Sequence, residues 1–131
     1  MTPASLTSTA AARPLAGARI LVVEDEPFIA FDLQMAVEEH GAVVIGPAST
    51  IAEALDLISR EAIDGAIVDV NLPDGTIGPV LDALPKRVSV VVQTGVGLPP
   101  EIRAAHPDVP VFSKPTAPET LIRRMASTLQ Q

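Results

Sequence analysis

Five polar residues with clear chemical potential follow short apolar runs in this chain. They are Glu24 and Asp25 after residues 20–23, Asp69 after 65–68, Thr94 after 88–92 and Lys114 after 109–113. Apolar runs of this length, bounded by Gly and Pro, are typical of fully buried strands. Because a carboxylate is costly to desolvate without a partner, we expect these side chains at the strand ends, on the rim of a sheet. Taken alone, Asp69 is equally well explained as a residue that only caps a loop.

Three of these residues are carboxylates, and their gathering at one rim has an electrostatic consequence. Two unit charges about 4 Å apart repel by about 4 kcal/mol at an effective dielectric of 20. One lysine cannot offset the repulsion among Glu24, Asp25 and Asp69, whereas a hard divalent cation such as Mg²⁺ can. A site with Mg²⁺, a reachable aspartate, a hydroxyl and an ammonium suits a phosphoryl group. Asp69 would attack, Lys114 would neutralise charge and Thr94 would donate a hydrogen bond.

The elements that must position these residues alternate between strand and helix five times. Predicted strands cover residues 19–23, 43–45, 65–70, 88–92 and 109–113. Predicted helices cover 28–40, 50–62, 77–84 and 118–129, and the Pro-rich segment 96–110 allows a fourth helix, before the last, of one or two turns at most. We expect that segment to be mobile. The alternation predicts an α/β fold with a doubly wound parallel sheet and helices on both faces.

The length and composition of the chain indicate the number of domains and argue against some kinds of partner. The chain has 131 residues, which is one domain's worth, and we interpret 1–17 as a disordered tail before a domain at 18–131. The net charge of −7 and the absence of Trp and Tyr argue against a nucleic acid partner. No apolar run reaches the roughly 20 residues of a membrane span, so no membrane association is expected. The absence of Cys fits a cytoplasmic protein.

Four motifs carry a resemblance to a known family. They are Ile-Leu-Val-Val-Glu-Asp-Glu at 20–26, Ile-Val-Asp-Val-Asn-Leu-Pro-Asp-Gly at 67–75, Gln-Thr-Gly at 93–95 and Phe-Ser-Lys-Pro at 112–115. In this order and spacing, residues 18–129 resemble the receiver domain of bacterial two-component response regulators. The resemblance implies a CheY-like, flavodoxin-like (βα)5 fold with strand order 2-1-3-4-5. Because no output domain follows the last helix, we expect a stand-alone single-domain response regulator.

The resemblance also implies roles for individual residues. Asp69 would accept a phosphoryl group from a histidine kinase or a phosphotransfer protein, and a downstream protein target would sense it. Asp25, Asp69 and the backbone carbonyl of Asn71 would bind Mg²⁺, with Glu24 acting partly through water. Thr94 would be the switch hydroxyl and Lys114 the phosphate-pairing lysine, with a cis bond before Pro115.

Two features depart from the family pattern. Receivers commonly carry an aromatic residue in the fifth strand that moves with the threonine, but the aligned position is Val111, with Phe112 beside it. The Gln-Thr-Gly motif resembles that of a subgroup of stand-alone receivers whose fourth-strand motif ends in Thr-Gly. The sequence therefore predicts a switch that works without the usual aromatic residue.

Two alternatives remain open at this point. A haloacid-dehalogenase-like phosphatase also uses a nucleophilic aspartate, Mg²⁺, a threonine and a lysine, but needs a second aspartate where this chain has Asn71. A receiver-like adaptor would bind partners without phosphorylation, and the intact acidic cluster argues against it. The receiver itself would not be an enzyme beyond its own phosphorylation and dephosphorylation.

Overall fold

A computed structural model describes residues 15–129. These residues form seven strands: β1 Arg19–Val23, β2 Val43–Ala48, β3 Gly65–Asp69, β4 Asn71–Leu72, β5 Gly75–Thr76, β6 Ser89–Thr94 and β7 Val111–Ser113. The helices are α1 Pro27–Glu39, α2 Ile51–Arg60, α3 Gly78–Ala83, α4 Pro100–Ala105 and α5 Pro118–Leu129. The predicted alternation of strands and helices is confirmed.

Five of the strands form one parallel sheet in the order β2-β1-β3-β6-β7. Numbered in chain order without the small hairpin β4–β5, this is the predicted order 2-1-3-4-5. β3 is central and pairs with β1 on one side and β6 on the other. Because all five strands run the same way, their carboxyl ends meet at one edge of the sheet.

Helices cover both faces of the sheet, and alternate side chains of each strand enter two separate cores. In β1, Leu21 and Val23 point to the core beneath α2, α3 and α4, whereas Ile20 and Val22 point to the core beneath α1 and α5. Every residue of β3 is buried. Burial on both faces explains why the strand segments are continuous apolar runs rather than alternating ones.

Some predicted boundaries differ from the observed ones. β7 begins at Val111 rather than Val109, because Pro110 has no N–H to donate and the Val109 N–H bonds back to His106 O. β2 extends to Ala48 through a cis Gly46–Pro47 bond, with a shift in register against β1. The six-residue α4 confirms that the fourth helix is short. The hairpin β4–β5 lies where the sequence indicated only a turn.

The described residues begin at residue 15, before the predicted domain boundary at Ala18. Leu15 is fully buried in the core beneath α1 and α5, and the Gly17 N–H donates to Gly41 O at 2.9 Å. Two residues of the predicted tail, Leu15 and Gly17, thus contact the core and Gly41. The division of the chain into a tail at 1–17 and a domain at 18–131 stays a prediction. The remainder of that tail, 1–14, lies outside the described residues. Among residues 15–129, the helices are too short or too polar to cross a bilayer.

Candidate functional site

Three carboxylates meet at the carboxyl edge of the sheet. Glu24 and Asp25 follow β1, and Asp69 ends the adjacent β3. One oxygen from each of the three lies within 4.8 Å of the others. Glu24 and Asp69 are buried, at 2% and 6% exposed, whereas Asp25 is exposed to solvent. The structure thus brings together the three acidic residues that the sequence predicted to converge.

Lys114 supplies the positive charge of this cluster. It follows β7, and its Nζ lies 3.2 Å from Asp69 Oδ2 and 3.1 Å from Glu24 Oε1. Partial burial by itself lowers the pKa of Lys114, but hydrogen bonds and charge from Glu24 and Asp69 outweigh it and raise the pKa above 10.5. The ammonium therefore stays protonated between the two acids. The Lys114–Pro115 bond is cis, as predicted.

Glu24 is the most deeply buried acid of the cluster and has three hydrogen-bond donors. The Glu26 N–H donates to Oε2 at 3.1 Å, the Gln93 side-chain amide donates to Oε1 at 3.1 Å, and Lys114 donates to Oε2 at 3.2 Å. Desolvation nevertheless raises the pKa of Glu24 above 4.5, with a smaller contribution from the negative charge of Asp69. A buried carboxylate with a raised pKa favours a further cation at this position.

Gln93 is a site residue that sequence reasoning missed. It lies in β6 opposite Asp69 in the sheet register and is only 2% exposed. A buried polar side chain in an interior strand needs a hydrogen-bond partner, and Glu24 provides it. The sequence contains a signal for this residue, because Gln93 is a polar side chain that directly continues the apolar run Val90–Val92.

Thr94 lies at the end of β6, but its hydroxyl is directed into its own loop. Oγ1 donates to Gly97 O at 3.0 Å and accepts from the N–H groups of Val96 and Gly97 at 3.0 and 2.9 Å. Among residues 15–129, this hydroxyl makes no hydrogen bond to Asp69 or Lys114, although the backbone N–H of Lys114 donates to Thr94 O at 2.8 Å. Thr94 is therefore placed at the predicted edge, while its hydroxyl is occupied in holding the β6–α4 loop.

Asn71 lies in the hairpin β4–β5, two positions after Asp69 and exposed to solvent. Its position at the rim agrees with the prediction, and the role of its carbonyl in binding metal stays a prediction.

In β7, Val111 packs against the core beneath α2, α3 and α4, whereas Phe112 packs against the opposite core. The side of β7 that holds an aromatic residue in many receivers thus carries a valine here.

The donor set fits Mg²⁺. Three carboxylate oxygens in close proximity are balanced by a single ammonium, so the cluster retains negative charge. Hard oxygen ligands with room for water are what Mg²⁺ prefers. Glu24, Asp25 and Asp69 would hold the ion, and the exposed position of Asp25 leaves an approach from solvent.

The family model described as the response regulator receiver domain matches residues 20–126 of this chain. The chain belongs to this family. The match includes residues of all five strands of the sheet, and it covers Glu24, Asp25, Asp69, Thr94 and Lys114. For this receiver domain, the dehalogenase-like phosphatase alternative has no support, in line with the amide at Asn71.

Curated relatives and solved structures agree with this family. The receiver domain is 47% identical over 66 residues to the phyllosphere-induced regulator PhyR of Methylorubrum extorquens, an alignment covering 50% of this chain and 24% of PhyR. It is 34% identical over 109 residues to a protein-glutamate methylesterase/protein-glutamine glutaminase of Methanospirillum hungatei, covering 76% of this chain and 31% of the relative. The chain thus spans less than a third of the length of each of these two relatives.

Two solved structures show the same arrangement of elements. A CheY-like receiver domain protein of Methanospirillum hungatei superposes with a TM-score of 0.76 at 26% identity, over 87% of this chain and 94% of that one. A response regulator of Burkholderia pseudomallei, solved with a phosphorylated aspartic acid, a calcium ion and citrate, superposes with a TM-score of 0.69 at 25% identity, over 86% and 71%. The doubly wound, flavodoxin-like prediction is confirmed.

Proposed function

We propose that this receiver domain accepts a phosphoryl group on Asp69 from the phosphohistidine of a histidine kinase or a phosphotransfer protein. The observation that carries the proposal is the convergence of Asp69 with Lys114 at 3.2 Å and with two further carboxylates within 4.8 Å. A solved relative with a phosphorylated aspartate and a metal ion supports it. The proposed localisation is the cytoplasm, where such donors act.

In the transfer, a carboxylate oxygen of Asp69 attacks phosphorus. A P–O bond to Asp69 forms, the P–N bond to the donor breaks, and the imidazole leaves with the electron pair of that bond. Asp69 is only 6% exposed, so the donor must present the phosphoryl group at the rim rather than enter the sheet. The same burial also limits the access of water to the acyl phosphate.

Lys114 acts on the charge of the incoming group. Its ammonium is already held beside Asp69, so it needs little movement to pair with a phosphoryl oxygen. Glu24, Asp25, Asp69 and the carbonyl of Asn71 would hold Mg²⁺, with Glu24 acting partly through water. When bound, Mg²⁺ supplies positive charge that reduces the repulsion between Asp69 and the phosphoryl oxygens.

Thr94 connects the site to the surface. Its hydroxyl now fixes Val96 and Gly97, and Val96 is 82% exposed. Donation of the Thr94 proton to a phosphoryl oxygen would remove its bond to Gly97 O, which is one of the three hydrogen bonds that hold this loop. The resulting change in the surface of residues 95–108 would be sensed by a downstream protein. Because Val111 replaces the usual aromatic residue, the loop itself carries the change.

The test is incubation with acetyl phosphate followed by intact-protein mass spectrometry. We expect the wild type to gain one phosphoryl group in Mg²⁺ and to lose this gain in EDTA. Asp69→Asn abolishes it, whereas Asp108→Asn, an exposed aspartate just before β7, leaves it intact. Partner binding that is unchanged in Asp69→Ala would instead support an adaptor that works without phosphorylation.

A further inference from the structure

Asp74 lies in the turn of the hairpin β4–β5 but hydrogen-bonds to a different element. Its Oδ1 accepts from the N–H of Ile51 at 2.8 Å, and its Oδ2 accepts from the N–H of Ala52 at 3.1 Å. These two amides begin α2, more than 20 positions earlier in the chain. Both carboxylate oxygens of Asp74 are therefore committed to the amino end of a neighbouring helix, where unpaired N–H groups and the helix dipole favour a negative charge.

This helix already has a cap of its own. The Thr50 hydroxyl accepts from the Glu53 N–H at 3.0 Å, and the Glu53 carboxylate accepts from the Ser49 N–H at 2.8 Å. These contacts are local in sequence and resemble a capping box, except that Glu53 accepts from Ser49 rather than from the N-cap residue Thr50. Asp74 is thus a second cap, supplied by the loop that follows Asp69, and not needed to define where α2 begins.

The hairpin that carries Asp74 is attached to the site at its other end. The Val70 N–H donates to Gln93 O at 3.2 Å and the Ile77 N–H donates to Val70 O at 2.9 Å, which ties the base of the hairpin to β6. Asn71 and Leu72 pair with Thr76 and Gly75. A short two-stranded hairpin has little stability by itself, so its position depends on such external attachments.

The far end of the hairpin has two attachments. One is the pair of Asp74 hydrogen bonds, and the other is close packing of the backbone at Gly75 against the Ile51 side chain. A Cβ at Gly75 would lie 3.3 Å from Ile51 Cδ1. Leu72 is also buried, so the hairpin is pressed onto the domain along its length. Of these contacts, only Asp74 is charged and directional.

We propose that Asp74 is a positioning residue that holds the hairpin β4–β5, and with it Asn71, in the geometry needed for the metal site. The same contact links that site to the amino end of α2, so metal binding and the order of Ile51 and Ala52 influence each other. This inference rests on the proposed function, because it concerns the metal site of that reaction. Partners of metal-binding groups commonly change metal affinity when removed.

The test is titration with Mg²⁺ alone, followed by two-dimensional amide NMR, on the wild type, Asp74→Ala, Asp74→Asn and Thr50→Ala. Thr50→Ala is the matched control, because it removes a cap from the same helix without touching the hairpin. We expect Asp74→Ala to weaken Mg²⁺ affinity roughly tenfold. Asp74→Asn, which keeps one acceptor oxygen, should weaken it less, and Thr50→Ala should leave it unchanged. Hydrogen exchange at Ile51 and Ala52 should slow on Mg²⁺ addition in the wild type and in Thr50→Ala, but not in Asp74→Ala.

Unchanged Mg²⁺ affinity in both Asp74 variants overturns the inference. So does an equal loss in Thr50→Ala, which would assign the effect to α2 stability alone. Either result leaves phosphorylation of Asp69 in the wild type as a separate observation, and the proposed function then stands without the role of Asp74. A wild type that binds no Mg²⁺ overturns the metal site and this inference together.

Discussion

Lys114 Nζ lies 3.2 Å from Asp69 Oδ2, although the two residues are 45 positions apart. Asp69 ends β3 and Lys114 follows β7, and β6 lies between these two strands. The same ammonium contacts Glu24 at 3.1 Å. One cation thus joins the ends of β1, β3 and β7 across the edge of the sheet. The ammonium neutralises part of the charge of three carboxylates that otherwise repel one another, and it places a positive charge where a phosphoryl group would arrive.

Lys114→Met should destabilise the metal-free protein by about 1–3 kcal/mol, because buried Glu24 loses its cationic partner while Asp69 stays nearby. Urea denaturation followed by circular dichroism in EDTA measures the change. Lys86→Met, at the other lysine of the chain, is exposed and should change stability little. Excess Mg²⁺ should restore part of the loss. Equal stability of Lys114→Met and wild type in EDTA would show that the cluster does not need the ammonium.

Glu24→Gln should change the pH dependence of stability in the metal-free protein. Desolvation raises the folded-state pKa of Glu24 above 4.5, so between 4.5 and the raised value the folded state binds more protons than the unfolded state. The contribution of Glu24 is therefore present below pH 4.5 and is lost as pH rises through the folded-state pKa. Glu24→Gln removes this pH-dependent loss of stability and should be more stable than the wild type at pH values above the folded-state pKa of Glu24.

Denaturation in EDTA across pH 4 to 8 measures this effect, and repetition in excess Mg²⁺ provides the control. Mg²⁺ stabilises the folded state that binds it, so the advantage of Glu24→Gln should shrink or reverse when the metal is present. A wild type whose stability rises relative to Glu24→Gln from pH 5 upwards in EDTA contradicts the raised pKa of Glu24.

Gln93→Leu should destabilise the metal-free protein by about 1–3 kcal/mol, because Glu24 Oε1 loses a buried amide donor. In the Glu24→Gln background the same substitution should cost less, since no buried charge is then left short of a partner. A double-mutant cycle from thermal or urea denaturation isolates this coupling. Simple additivity of the two substitutions would mean that the Gln93–Glu24 hydrogen bond contributes nothing to the stability of the site.

Asp74→Asn should make the free energy of unfolding fall less steeply as the pH is lowered (the acid limb of the stability curve). Hydrogen bonds, first from Ile51 N–H and then from Ala52 N–H, lower the pKa of Asp74 below 3.8. Its contribution is therefore present above pH 3.8 and is lost as pH falls through the folded-state value. Denaturation from pH 6 to 2 measures the slope, with Asp108→Asn as the matched loss of one carboxylate. Identical acid limbs in wild type and Asp74→Asn would show that the cap contacts are not formed in solution.

The convergence of the site could be predicted from sequence because it follows from topology. A parallel sheet places all strand carboxyl ends at one edge, so finding Asp69 and Lys114 after buried strands is enough to place them together. The packing of Leu15 could not be predicted in this way, because one apolar residue in an Ala-rich segment has no periodicity to reveal it.

Hydrogen bonds whose partners depend on the folded backbone could not be predicted from the sequence alone. Nothing in the sequence around Asp74 shows that it caps α2, since the partner amides lie at Ile51 and Ala52. The direction of the Thr94 hydroxyl depends on the backbone of Val96 and Gly97, which residue types alone do not fix. Gln93 was visible as a polar residue, but its partner became clear only from the fold.

Peptide mass spectrometry after treatment with acetyl phosphate and Mg²⁺ locates the phosphoryl group and decides whether Asp69 is its acceptor. We expect a single, base-labile acyl phosphate on Asp69, absent when Mg²⁺ is removed and reduced in Lys114→Met. A phosphoryl group found on another residue, or one that persists in Asp69→Asn at the wild-type level, would contradict this expectation.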